Sequence, residues 1–144
     1  MLRRKPAKRT TKRPKRAVRA ISISKLMKRA DQLFSIKVRQ NNASLDGTQI
    51  CYTCGHKAHW KKLHAGHFLS RYYKSARWDE DNVKPQCFIC NIYKKGDAVK
   101  FRQNLIKEIG EKRVKAVERK RGVSLKLTRE YLTKLIEKLN TNTQ

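Results

Sequence analysis

The sequence predicts a small α+β fold in which short strands and a helix gather around a cluster of cysteines, with further helices packed around them. Three observations predict it. Cys51, Cys54, Cys87 and Cys90 stand in two Cys-x2-Cys pairs with 32 residues between the pairs. Amphipathic helical periodicity flanks that segment on both sides. Apolar residues make up only 38% of the 144 positions and charged ones 33%, so the core is small and calls for a metal or a crosslink. The length fits one domain with an appendage. No apolar run is long enough to span a bilayer. The start, Met1-Leu2-Arg3-Arg4-Lys5, leads into no apolar stretch, so no secretory signal is expected and the location is expected to be cytoplasmic.

Charge narrows the partner. Lys and Arg number 37 and Asp and Glu 11, a formal net charge of +26. Self-repulsion of that size strains a compact chain unless a polyanion faces it. Nucleic acid is the natural partner. An anionic membrane surface is the rival, but no strongly hydrophobic face adjoins the basic run, so no membrane partner is expected.

Taken in order, residues 1–21 form a basic arm. It holds Arg3, Arg4, Lys5, Lys8, Arg9, Lys12, Arg13, Lys15, Arg16 and Arg19, no acid, and the helix breakers Pro6 and Pro14. Such a stretch buries too little surface to offset its ordering entropy, so it reads as disordered. It suits phosphate tracking, against the plainer readings of a solvated tail or a localisation signal. Residues 22–49 hold a helix over 23–40, with Ile23, Leu26, Met27, Ala30, Leu33, Phe34 and Val38 at helical spacing and Ser22 or Ser24 as cap. Asn41-Asn42 ends it and Asp46-Gly47 marks a turn.

Residues 50–97 hold every Cys, every His, both Trp and four of the five Tyr. Short strands are expected around 62–69 and 83–86, then a helix from near Phe88. Residues 98–140 are helical. Asp97 is the expected cap of a helix with Val99, Phe101, Leu105, Ile106 and Ile109 on one face, stopped by Gly110. A short helical stretch runs on to Gly122. Thr128 caps a last helix carrying Leu132, Leu135, Ile136 and Leu139. That stripe is the candidate interface of a homodimer, although such stripes are more often intramolecular core.

Four thiolates in two such knuckles match a tetrahedral, structural zinc site, since a two-residue turn lets both sulfurs of a pair face one ion. Gly55 and Gly96 permit the tight backbone this needs. The alternatives are two disulfides, which need an oxidising compartment, or four reduced buried thiols. A closed four-cysteine site leaves no open position for chemistry. The zinc would hold the core together without performing a reaction.

The remaining order of residues is informative. His64 and His67 lie in Leu63-His64-Ala65-Gly66-His67-Phe68-Leu69, followed by Asp81-Asn82-Val83 and by Gln86-Cys87-x2-Cys90-Asn91-Ile92-Tyr93-Lys94-Lys95-Gly96. A His on one strand, an Asn before the next, and an Asn directly after a Cys pair is the HNH arrangement. From Cys51 to Gly96 the chain resembles the HNH, or ββα-metal, nucleases with four-cysteine zinc sites. More closely it resembles the phage NinG/Rap recombination endonucleases. The likeness covers about two thirds of the chain and leaves out the basic arm.

The resemblance implies a small ββα-metal core and a metal-dependent DNA endonuclease acting on branched recombination or replication intermediates such as Holliday junctions or D-loops. It also implies a phage gene expressed in a bacterial host. His67 would be the general base, because imidazole titrates near working pH. Asn82 would brace the loop and orient His67. Asn91 would give its side-chain oxygen to one catalytic divalent cation, Mg²⁺ or Mn²⁺. One departure stands out. Many HNH sites carry Asp immediately before the catalytic His, and here that residue is Gly66. His64 is the substitute ligand; NinG-like sequences tend to have Asp there. On a regular strand His64 and His67 point to opposite faces, so a bulge at Gly66 is expected to bring both to the metal. With no carboxylate in the pair, softer cations such as Mn²⁺ or Ni²⁺ would serve.

Arg71, Tyr72, Lys74 and Arg77 interleave cations with rings, as a DNA strand requires. Trp78 in the same run reads as core. Lys94 and Lys95 are expected beside the cation and phosphate; His56 and His59 read as surface residues. Two rivals remain at this point. A non-catalytic zinc-stabilised nucleic-acid-binding protein explains the charge, but not the positions of His67, Asn82 and Asn91. A general nicking or restriction-type HNH enzyme shares the same residues.

Overall fold

The computed structural model describes residues 20–141. The basic arm, except Ala20 and Ile21, lies outside the described residues.

Helix α1, Ile23–Gln40, starts where expected. Ser22 Oγ accepts the Lys25 amide at 3.4 Å. Its inward face is Leu26, Ala30, Leu33, Phe34 and Val38, all buried, whereas Ile23 is exposed. A hairpin follows that the sequence did not predict. Strands β1, Thr48–Ile50, and β2, Lys57–His59, pair antiparallel with Thr48 opposite His59 and Ile50 opposite Lys57. Three-residue polar strands carry no alternation to detect. The turn between them is the first cysteine knuckle, so the hairpin is a consequence of the knuckle's geometry.

A 3-10 turn over Trp60–Lys62 takes the first part of the expected strand at 62–69. What remains is β3, His64–His67, antiparallel to β4, Val83–Gln86. The register is unbroken: His64 opposite Gln86, Ala65 opposite Pro85, Gly66 opposite Lys84, His67 opposite Val83. The bulge expected at Gly66 is therefore absent. The glycine serves a different purpose: a Cβ there would overlap the buried side chain of Gln86.

After β4 comes a π-helical turn, Ile89–Tyr93, and then α2, Ala98–Arg119. Asp97 precedes α2 in a left-handed conformation, φ 47°, with no capping bond from its side chain. Val99, expected on the buried face, is exposed instead, while Phe101, Leu105, Val114 and Val117 are buried. Gly110 does interrupt the helix, with φ 78° and ψ 154°, a conformation open only to glycine. The segment beyond it folds back, and Arg102 reaches Glu118 at 2.7 Å. The last helix, α3, Arg129–Thr141, receives its cap from Thr128, whose Oγ1 accepts the Tyr131 amide at 3.2 Å.

Apolar packing falls into small separate clusters. The largest joins α1 to β4 and α3 through Leu33, Phe34, Val38, Val83 and Leu139, with Leu135, Ile136 and Trp78 against them. The α3 stripe offered above as a dimer interface is thus spent inside the chain. A second cluster is built around the cysteines and Leu63, and a third around Phe101, Leu105 and Val114. Among the described residues no helix is long and apolar enough to cross a membrane.

Candidate metal centre and catalytic cleft

The two knuckles meet. The sulfurs of Cys51, Cys54, Cys87 and Cys90 all lie within 4.8 Å of one another. Cys54 and Cys87 are 3.8 Å apart at sulfur, about the edge of a tetrahedron with ~2.3 Å metal–sulfur bonds and too long for a disulfide. The four are free thiols, with Cys54 exposed and the others buried. Backbone bonds shape each knuckle. The Gly55 amide donates to Cys51 O, with Gly55 at φ 76°, and the Cys51 amide donates to His56 O. On the second, the amides of Asn91 and Gly96 donate to Cys87 O and Cys90 O. Burial pushes the Cys51 thiol up, but hydrogen bonds from the backbone at 53, 54 and 87 outweigh it and leave the group at about 7. Burial and the neighbouring sulfurs push Cys90 up. Four sulfurs that crowd one another's protons and bonding lone pairs suit a soft divalent metal such as zinc.

Gln86 links this centre to the neighbouring strand. It is fully buried, and its Nε2 donates to Thr53 Oγ1 at 2.5 Å and to Gly96 O at 2.9 Å. One end of the amide therefore ties both knuckles together, and the other lies against Gly66, with no hydrogen-bond partner for Oε1. Sequence reasoning noted Gln86 as part of a pattern and gave it no role.

A cleft of about 730 Å³ opens beside β3. His64, Ala65 and His67 line it from the strand, Asp31, Ser35 and Arg39 from α1, Asn91, Ile92, Lys95 and Gly96 from the π turn and its exit, and Arg71 from the following loop. His64, His67, Asn91, Arg71 and Lys95 are thus brought to one cavity. Both histidines line it although β3 is unbroken. Asn91 sits in an i→i+5 turn, closed by the Lys94 amide on Ile89 O at 2.8 Å. Such turns recur at functional sites.

Backbone carbonyls of Arg77 and Ala65 act on the His67 ring. Its Nε2 lies 3.1 Å from the carbonyl oxygen of Arg77. A carbonyl only accepts, so Nε2 carries the proton and the neutral ring keeps its lone pair on Nδ1. Burial lowers the pKa of His67 below the ordinary value, against the opposing pull of the Arg77 and Ala65 carbonyls.

The Asn82 side chain bonds to the loop rather than to the His67 ring. Buried, it accepts the Leu69 amide at 2.6 Å and donates to Leu69 O and Ala76 O at 3.0 and 2.9 Å. It therefore closes the 69–76 loop, whose next residue offers the carbonyl that holds His67.

Arg77 was expected on DNA. Its guanidinium instead meets Asp31 at 2.6 and 2.9 Å and donates to Arg71 O at 3.0 Å, with the side chain 15% exposed. Trp78 Nε1 donates to the same carboxylate at 3.0 Å. Asp31 thus fixes the backbone that fixes His67. It was missed in the sequence, although it is the single acid in α1 and that isolation was a usable signal. Of the other expected DNA contacts, Tyr72 is 82% exposed, and Arg71, Lys74, Lys94 and Lys95 are exposed as well. Lys94 lies 3.8 Å from Asp97. His59 caps the 3-10 turn, its Nδ1 accepting the Lys61 amide.

Comparison with known proteins gives the family. A family model described as "Bacteriophage Lambda NinG protein" matches residues 2–144. Protein ninG of Escherichia phage 933W is 33% identical over 95 residues, 64% of this chain and 44% of that protein. The corresponding protein of Escherichia phage lambda is 32% identical over 95 residues, 64% of this chain and 43% of that protein. That of Salmonella phage P22 is 33% identical with the same coverage. The match thus spans less than half the length of these relatives. No solved structure matches the chain. With its knuckles, its cleft and a family match over nearly its whole length, the chain belongs to the NinG family.

Proposed function

We propose that the chain is a metal-dependent DNA endonuclease that hydrolyses phosphodiester bonds in branched recombination or replication intermediates. The observation that carries the reading is the held imidazole of His67, its Nε2–H directed to Arg77 O inside a basic cleft. Such a ring is neutral and presents one lone pair, which is what a general base needs to take a proton from water. Arg71 and Lys95 line the same cleft and offset phosphate charge. Asn82 and Arg77 are positioning residues, because they act on His67 through the loop and do not line the cleft; Asp31 lines it and holds Arg77 as well.

Asn91 and His64 are the residues that would hold a catalytic divalent cation, which when bound offsets charge on the scissile phosphate and the leaving 3′ oxygen. An amide oxygen and an imidazole suit Mn²⁺ at least as well as Mg²⁺. The four cysteines would hold the zinc that anchors both Asn91, directly after Cys90, and Gln86, directly before Cys87.

A second reading, a zinc-stabilised nucleic-acid-binding protein without catalysis, is favoured by the net charge of +26 alone. The test is cleavage of linear, nicked, flapped and four-way DNA with and without Mg²⁺ or Mn²⁺. Metal-dependent cutting that prefers branched substrates is the expected result. No cutting of any substrate at high protein concentration would leave the binding reading, and equal rates on linear duplex would leave a general nicking enzyme.

A further inference from the structure

The π turn and the residue before it carry four large apolar side chains in solvent. Phe88 is 58% exposed, Ile89 58%, Ile92 51% and Tyr93 83%. Their spacing of i, i+1, i+4 and i+5 matches the i→i+5 turn they sit on, so they share one face. The other side of the same segment is occupied by the buried Cys87 and Cys90. Contiguous exposed apolar surface marks an interaction site, and a chain with 38% apolar residues has few to spare.

What covers this face follows from its surroundings. Lys94 and Lys95 come next in the chain and are exposed. Ile92 and Lys95 line the cleft together with His67 and Arg71, and the Phe88 ring lies 6.1 Å from that of His64. The apolar face is therefore continuous with the cleft and edged by cations. A second copy of the chain would set these lysines against their own counterparts. A nucleic acid presents phosphates to the lysines and base faces to the rings and branched side chains. Paired, stacked bases have no free face to offer, whereas unpaired ones do.

We propose that Phe88, Ile89, Ile92 and Tyr93 form a stacking face for unpaired bases, which holds a branch point open beside the cleft. The assignment of the cleft rests on the nuclease reading; the stacking does not.

The test uses the full chain carrying Ile89→Ser and Tyr93→Ala, neither of which lines the cleft, and Tyr93→Ala alone as the variant least able to disturb folding. Binding is followed by anisotropy without added divalent cation, on a four-way junction and a perfect duplex of equal length. 2-Aminopurine placed at the branch reports unstacking. The expected result is a loss of roughly tenfold or more in affinity for the junction, the size of one lost base stack. Duplex affinity and zinc content should stay at wild-type level, and the 2-aminopurine signal should no longer rise. An unchanged preference for the junction in folded variants overturns the proposal. So does a wild-type dimer that the variants dissociate while junction preference persists, which would make the face a contact between copies. Because no cleavage is needed, the outcomes separate: junction binding lost in a chain that never cuts DNA keeps the stacking face and removes the nuclease, and the converse removes only the face.

Discussion

His67 concentrates the residue-scale argument. Its ring is oriented by a backbone carbonyl and kept neutral by burial, and neither device depends on the cation. Replacing it with alanine should slow cleavage by roughly 10²–10⁴-fold, the usual loss with a general base. DNA affinity should remain near wild type, because phosphate contacts come from Lys and Arg. Full cleavage by His67→Ala on the preferred substrate would place the active site elsewhere. The pH dependence has a definite sign. Protonation removes the base, and the pKa is lowered from its ordinary value. The rate should therefore rise as pH increases through a midpoint below about 6.5, the free imidazole value, and then level off. Asn91→Ala should raise the cation concentration needed for half-maximal rate, and His64→Ala should do the same if it is the second ligand. Metal titration of the rate checks both.

Elements show where sequence was readable and where it was not. Helix α1 was readable because its cap and its apolar period agree, and α3 for the same reason. The cysteine pairs were readable because two Cys-x2-Cys knuckles are the spacing that suits one ion. The β1–β2 hairpin was not, since its strands owe their pairing to the knuckle between them rather than to side-chain alternation. Asp97 looked like a cap by residue type, but the chain leaves the π turn through left-handed residues at 95, 96 and 97, which turns its carboxylate toward Lys94. Arg77 looked like a DNA contact because its partner, Asp31, lies 46 residues away, beyond any local pattern. Gly66 looked like the site of a bulge, and the structure makes it room for Gln86. The loop between β3 and β4 carries a prediction of its own. Asn82→Ala leaves the Leu69 amide, Leu69 O and Ala76 O without their partner. Stability should fall by roughly 2–3 kcal/mol, as for buried groups left unpaired. Cleavage should fall with it, because the Arg77 carbonyl is released. A shifted denaturant midpoint with an unchanged slope checks the first part. A stable Asn82→Ala protein with full activity would mean that the loop holds itself.

At the scale of the whole molecule, the packing is divided, and the cysteine cluster lies where the hairpin and the π turn meet. One apolar cluster joins α1, β4 and α3, another surrounds the sulfurs, and the α2 cluster stands apart from both. The hairpin, the π turn and the cleft meet at the four cysteines and at Gln86. A metal bound there would add its binding free energy to folding. Purified reduced protein should carry about one zinc per chain, the stoichiometry of a closed four-thiolate site. Cys51→Ser or Cys90→Ser should lose the zinc and the cleft together, so that cleavage and junction binding both fail. The contact of α1 with α3 does not pass through the sulfurs, and part of the helical circular dichroism should survive. His67→Ala, by contrast, should keep its zinc, its helical signal and its thermal transition while losing only cleavage. That pairing separates a structural metal from a catalytic residue. Elemental analysis finding no zinc in a folded, reduced and active sample would show that the sulfurs are packed thiols, and that the cleft is held by Gln86 and its neighbours alone.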